Sequence, residues 1–308
     1  MALTALASEL GARLNPQVLF QKVTIIGVGL LGGSLGLALK RRRLAVQVAG
    51  YVRRSASVSE CEQSGAVDLA TRDLLQAVDG ADLVVFCTPL GRMRELAETM
   101  LPSLKPGAVV TDVGSVKASV VRELEPLFSR AGLHFIGSHP MCGGEKMGVN
   151  AARAELFEGA FCVVTPTQNS NTDALKKVDQ LWQEVGMRTL VITPEQHDEL
   201  VARSSHLPHV VAAELASYVL DPAHSDEQAL LCGNGFRDTT RVASGSPEMW
   251  RDIALANRAN LSRVLGVCIE DLEKFKLALD NADTKAIEDF FEKAKQRRDK
   301  WRSQASAN

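Results

Sequence analysis

Three histidines, two serines and two arginines lie in short motifs rich in small residues, the setting in which polar side chains are held for chemistry. "GSHPMCGGEKMG" (137–148) places His139 between Ser138 and Pro140, ahead of a glycine pair. An imidazole boxed in this way suits a fixed ring at the C-terminal end of a strand, where open α/β sheets put their ligands. "DVGSVK" (112–117) carries Ser115 and Lys117 on a similar strand-to-loop transition, and "SSHLPH" (204–209) sets His206 and His209 three residues apart with Ser205 beside them. On a helix that spacing puts both rings on one face. "GNGFRDTTR" (233–241) flanks a glycine-rich turn with Arg237 and Arg241, whose guanidinium groups suit a carboxylate. Three histidines also raise the question of a metal. No carboxylate or thiol stands at ligand spacing, and the six cysteines form no CxxC pair, so no metal site is expected.

A second group of residues suits a nucleotide. "KVTIIGVGLLGGSLGLAL" holds Gly27, Gly29 and Gly32 in a G-x-G-x-x-G array that follows an apolar β-branched run and opens a helical one. Gly27 permits a tight turn, Gly29 lets the backbone approach a pyrophosphate, and Gly32 lets helix and strand pack closely. The helix N-terminus then offers free N–H groups to phosphates. An acid holding the ribose 2′-hydroxyl of NAD is expected about twenty residues past Gly32. Val52 stands there, followed by Arg53, Arg54 and Ser55. Two guanidinium groups and a hydroxyl favour a 2′-phosphate, so NADP is expected over NAD. The candidate cofactor set is Gly27, Gly29, Leu30, Leu31, Gly32, Arg53, Arg54, Ser55, Thr88 and Pro89.

These motifs need a scaffold, and the periodicity supplies one. β-branched runs at 22–28, 46–51, 82–89, 108–114, 134–140, 160–166 and 188–194 alternate at first with helical patterns at 30–43, 56–64, 90–104 and 115–131. Such alternation predicts an α/β, Rossmann-type, doubly wound and mostly parallel sheet. Beyond residue 194 only helical spacing remains. The expected organisation is an N-terminal extension (1–20), a nucleotide-binding domain (21–193), an all-helical domain (194–295) and a polar tail (296–308). The chain has 308 residues, 45% hydrophobic, with a net charge of −2 and aromatics at 5%. That balance argues against nucleic acid or an anionic membrane as partner. No apolar run is long enough to span a bilayer, no secretory signal is evident, and the scattered cysteines fit reduced thiols, so a cytoplasmic location is expected.

Taken together, "GVGLLGGSLGLAL", "DVGSVK", "GSHPMCGGEKMG", "SHLPH" and "GFRDTTR…SPEMWRD" resemble, in order and spacing, the prephenate/arogenate dehydrogenase family of tyrosine biosynthesis, over essentially residues 20–280. The resemblance implies a Rossmann domain followed by a helical domain that forms a homodimer. It implies that His139 accepts a hydrogen bond or proton from the ring 4-hydroxyl of a cyclohexadiene, and that Ser115 orients both groups. Arg241 would hold a substrate carboxylate. Ser205 and His209 would line the pocket, with Glu145 at its entrance and Trp250 reaching toward the partner subunit. His206 would be either a ligand contact or a helix-packing residue, with packing the nearer of the two. For the substrate, His209 resembles prephenate-using relatives whereas an NADP preference leans toward arogenate-using ones; prephenate is expected, with arogenate or dual use as the alternative. The chain stops soon after the helical segment, so neither an ACT nor a chorismate mutase domain is expected. Two rivals are weaker. A β-hydroxyacid dehydrogenase needs a lysine early in the helical half, yet none occurs between Lys177 and Lys274. A non-catalytic NADPH sensor has no use for His139, Ser115 and Arg241 together.

Overall fold

The computed structural model describes residues 18–307 except Glu145; the expected N-terminal extension thus lies almost wholly outside the described residues. The β-branched runs form β1 (Phe20–Ile26), β2 (Ala45–Tyr51), β3 (Leu69–Thr71), β4 (Leu83–Phe86), β5 (Val109–Asp112), β6 (His134–Pro140), β7 (Phe161–Thr165) and β8 (Arg188–Val191). Between them lie α1 (Leu30–Arg41), α2 (Ala56–Gln63), α3 (Leu74–Val78), α4 (Leu90–Met100), α5 (Ala118–Arg130) and α6 (Thr172–Glu184). The strands form one sheet in the order β3-β2-β1-β4-β5-β6-β7-β8, parallel throughout except for the antiparallel β6–β7 pair. β3 and α3, three and five residues long, were not expected from the sequence.

Side chains on a strand alternate between faces, and each face has its own core. Val23, Ile25, Leu83 and Val85 join Leu35 and Leu39 of α1 and Val178 and Trp182 of α6. Ile26, Val84 and Phe86 join Leu74 of α3, Met93 of α4 and Leu124 of α5. All four residues of β4 are fully buried, as a central strand covered on both faces must be. Chain direction across the sheet reverses between β1 and β4, because β2 and β3 build outward on one side while β4 begins the other. A crevice opens at the C-terminal ends of strands flanking such a point, and ligands of open α/β sheets bind there.

After β8 the chain is helical. A capping box between Thr193 and Gln196 starts α7 (Pro194–Val201), and a π turn (Ala202–His206) leads into α8 (Leu207–Val219). Then come α9 (Asp226–Leu230), α10 (Asn234–Thr240), a 3-10 turn (Arg241–Ser244) and α11 (Pro247–Ala256). The chain separates into two compact units between Asn257 and Arg258. The helices from α7 to α11 therefore belong to the unit that contains the sheet. The second unit consists of α12 (Arg258–Asp280) and α13 (Thr284–Ala307), joined by a short turn and packed through Phe275, whose ring lies 4.5 Å from that of Phe290. The last residues, polar in composition, continue α13 to Ala307.

Candidate active site

The glycine turn stands at the reversal point. Gly27 follows β1 with φ +98°, a conformation L side chains rarely adopt, and a Cβ there would lie 2.7 Å from the Cys87 carbonyl oxygen. A Cβ at Gly32 would overlap the Gly27 carbonyl oxygen, so α1 and β1 approach as closely as they do only because this position has no side chain. Gly29 is different: a Cβ there would meet nothing within 4 Å. It caps α1 without a side-chain hydrogen bond, and no acidic residue occupies the first helical turn. Leu30 and Leu31 begin that turn, so their uncapped N–H groups and the open space over Gly29 fit a pyrophosphate.

The cleft above this turn is lined by Gly27, Gly29, Arg53, Arg54, Thr88 and Pro89, with Arg92 of α4 on its far side. Val52 packs into the core at 6% exposure, whereas Arg53 and Arg54 are exposed. Arg72, which the sequence does not single out, donates from Nε to the Arg53 carbonyl at 3.1 Å and from Nη1 to Ser55 Oγ at 3.0 Å. Ser55 is thus held by an arginine. Three guanidinium groups, those of Arg53, Arg54 and Arg92, and no carboxylate line the cleft, with Arg72 bound to Ser55 beside it. The Thr88 hydroxyl is buried without a hydrogen-bond partner beside Gly27, an unsatisfied donor at the crevice. These features fit a nicotinamide nucleotide with its phosphates over Gly29.

Further along the same sheet edge, β5 and β6 end in a buried polar network. Ser138 donates from Oγ to the Asp112 carbonyl at 2.6 Å and accepts from Trp182 Nε1 at 3.0 Å. Asp112 accepts from the Ser138 and Gly114 backbone N–H groups. Lys117, fully buried, pairs with Asp112 and donates to the Ser138 carbonyl at 2.8 Å. Burial pulls the Lys117 ammonium down and the contact with Asp112 opposes that pull. Lys117 therefore locks the ends of β5 and β6 together from inside the protein.

His139, only 7% exposed, is fixed by this network through its neighbour Ser138. Its Nδ1 lies 2.8 Å from Nε2 of His197 on α7, with the rings edge to face at 69°. His197 Nδ1 is in turn 2.8 Å from Asp198 Oδ1. The Asp198 carboxylate accepts from the backbone N–H groups of Lys117 (2.7 Å) and Ala118 (2.9 Å). One carboxylate therefore caps α5 and holds α7 against it. Burial, and then the neighbouring His197 and Lys117, push the His139 imidazole well below its ordinary range. The ring is therefore neutral near pH 7. Ser115 lies half-buried on the loop between Asp112 and Lys117. His197 and Asp198 escape sequence reading because "EQHDEL" reads as a polar helix start. The signal available was their place on the helical face carrying Val201 and, one turn on, Ser205.

The helical segment supplies the rest. His206 is fully buried; its Nδ1 is 3.2 Å from Asn257 Nδ2, which also donates to the Asp198 carbonyl at 2.8 Å. Burial lowers its pKa to about 4. The His206 ring also lies edge to face with Trp250, centroids 6.1 Å apart. His209 donates from Nδ1 to the Ser205 carbonyl at 2.8 Å, which leaves Nε2 as an acceptor. Trp250 stacks on His209 with ring centroids 3.9 Å apart, so within one chain it fixes that ring. Arg241 is exposed and opens the 3-10 turn that packs against α8. Glu145 lies outside the described residues. No cluster that could hold a metal ion occurs among the described residues.

Comparison with known proteins converges on one family. The model described as "Prephenate dehydrogenase, nucleotide-binding domain" matches residues 35–191, and "Prephenate dehydrogenase, dimerization domain" matches residues 193–296. The chain is 34% identical to a cyclohexadienyl dehydrogenase of Zymomonas mobilis over 91% of its own length and 95% of the relative's. It is 32% identical to a prephenate dehydrogenase of Bacillus subtilis, over 90% of its length and 75% of the relative's. Among solved structures, the prephenate dehydrogenase of A. aeolicus in complex with hydroxyphenyl propionate and NAD+ superposes with a TM-score of 0.84 at 32% identity, covering 90% of this chain and 97% of that one. The arogenate dehydrogenase of Synechocystis gives 0.76 at 31%, covering 91% and 99%. A 3-hydroxyisobutyrate dehydrogenase of Salmonella typhimurium, at 0.57 and 14%, shares the fold alone. The glycine turn at the sheet's reversal point, the buried histidine on the same edge and these matches over nine-tenths of the chain agree: the chain belongs to the prephenate dehydrogenase family.

Proposed function

We propose that this protein catalyses the NADP-dependent oxidative decarboxylation of prephenate to 4-hydroxyphenylpyruvate. The observation that carries the reading is His139: a buried, neutral imidazole on the sheet edge that also carries the glycine turn. When bound, the nicotinamide nucleotide supplies the hydride acceptor. As hydride leaves the hydroxylated ring carbon, positive charge grows there, and His139 relieves it by taking the hydroxyl proton. The ring carboxylate departs as carbon dioxide and the ring becomes aromatic. Ser115 orients the hydroxyl and the imidazole. Arg241 holds a substrate carboxylate, a charge-assisted contact worth about 2–5 kcal/mol when desolvated. Ser205 and His209 line the pocket, with the His209 ring set by Trp250. Arg53, Arg54 and Ser55 select the 2′-phosphate, with NAD the weaker cofactor, and Gly27, Gly29, Leu30, Leu31, Gly32, Thr88 and Pro89 bind the rest of the nucleotide. Residues 194–295 form the substrate and dimerisation domain of a cytoplasmic homodimer.

The second reading is arogenate, favoured by the superposition on an arogenate dehydrogenase over 91% of this chain. The two substrates differ only in a side-chain keto group against an ammonium-bearing carbon. The experiment is reduced-nicotinamide absorbance with each substrate paired with each cofactor. Turnover of prephenate with NADP at higher kcat/KM than any other pairing supports the reading. Turnover of arogenate alone moves the assignment to arogenate, and a preference for NAD removes the role given to Arg53 and Arg54.

A further inference from the structure

We propose that His197 and Asp198 form, with His139, a hydrogen-bonded relay that fixes which nitrogen of His139 is the base and disperses the proton it receives. The inference rests on the reading of His139 as the base and extends it to two residues that no sequence motif singled out. Each carboxylate oxygen of Asp198 accepts a backbone N–H bond at the start of α5, which makes it an acceptor group. The 2.8 Å contact to His197 Nδ1 therefore requires a proton on that nitrogen. Neutral His197, protonated at Nδ1, has only a lone pair at Nε2. The 2.8 Å bond between His197 Nε2 and His139 Nδ1 then requires His139 to donate. His139 is thereby held as the Nδ1–H tautomer, with an unprotonated Nε2.

His139 Nε2 gains the substrate hydroxyl proton. The Nδ1 proton of His139 passes to His197 Nε2, leaving His139 neutral with its proton on Nε2 and His197 as an imidazolium against the Asp198 carboxylate. Without this route the positive charge would stay on a ring that burial, His197 and Lys117 all disfavour charging. The carboxylate nearest the pair is Asp198, whose attraction for a charged His197 opposes the desolvation of that ring. The other titratable neighbours are Lys117 and Asp112 at the end of β5, His206 in the π turn and Cys162 on β7. Lys117 is neutralised by Asp112, and His206 stays uncharged above about pH 4. A Ser-His-Asp triad orients its base by the same carboxylate–imidazole contact; here a second imidazole is interposed.

The test uses the full-length protein with histidine-selective ¹⁵N labelling. Ring-nitrogen spectra of the wild type assign His139 by comparison with His139→Gln. Asp198 also caps α5, so the variants are made at His197, which leaves that cap in place. His197→Phe keeps the ring volume and removes both nitrogens. His197→Gln can restore an acceptor near the lost Nε2 while removing the relay to Asp198. The expected result is an Nδ1–H His139 in the wild type and in His197→Gln, lost in His197→Phe. The kcat of His197→Phe falls on the order of 10²–10⁴-fold, as when a triad base takes the wrong tautomer, with KM for both substrates within about threefold. His197→Gln recovers part of that loss. An Nε2–H His139 in the wild type, or a His197→Phe enzyme within a few-fold of wild-type kcat, overturns the relay. The tautomer is read without substrate, so this failure is distinguishable from a wrong choice of substrate or cofactor.

Discussion

At His139, burial and the neighbouring His197 and Lys117 all oppose the imidazolium, and the ring stands ready to accept a proton. At Lys117, burial acts in the same direction, but the contact with Asp112 keeps an ion pair inside the protein. The two basic groups share one neighbourhood and have different tasks. Both motifs were visible in the sequence; that Lys117 would turn inward was not, because its partner Asp112 reads as an ordinary strand end. The arginine pair after β2 was equally visible, whereas Arg72 and Arg92 arrive from elements distant in sequence. The double variant Arg53→Ala/Arg54→Ala is expected to raise KM for NADP at least about tenfold, the loss of more than one charge-assisted bond, and to leave KM for NAD nearly unchanged. Steady-state kinetics with both cofactors decide it, and equal effects on the two would remove the 2′-phosphate role.

Among the elements, seven of the eight strands follow from β-branched runs, most plainly β4 and β5, which are buried along their whole length between parallel neighbours. β3 was hidden: "LAT" is too short to show a period, and it is specified by pairing with β2 through Ala49, Gly50 and Tyr51. Beyond β8 the elements are helical, as the change of character near residue 194 implies, but the helices from α7 to α11 pack in the sheet's own compact unit, which ends at Asn257. Contacts such as Asp198 on the start of α5 hold them there, and such contacts have no sequence period. The close approach of α1 to β1 gives an element-level prediction. Gly32→Ala drives a methyl group into the Gly27 carbonyl, a backbone atom that cannot swing aside. The expected cost is about 1–3 kcal/mol of stability, seen as a lower denaturation midpoint, together with weakened nucleotide binding by titration. An unchanged midpoint and affinity would mean that the turn relaxes freely.

For the whole molecule, three buried histidines set a pH dependence. His139, His197 and His206 all have pKa values below the ordinary 6.5, His206 at about 4. Below about pH 6.5 the unfolded chain binds protons at these positions that the folded chain refuses, so stability falls with pH from about 6.5 down to about 4. Thermal denaturation at stepped pH is expected to show a falling midpoint across that window, and the fall should be smaller in His206→Gln. A flat midpoint would mean that these rings are not held neutral. The most direct test of the whole account is a reduced-nicotinamide assay with NADP and prephenate on the wild type and His139→Asn side by side. The wild type is expected to turn over prephenate, and the variant to lose about 10²–10⁴-fold in kcat with unchanged NADP affinity. A wild type that binds NADP yet turns over neither prephenate nor arogenate, or a variant within a few-fold of it, would contradict the account.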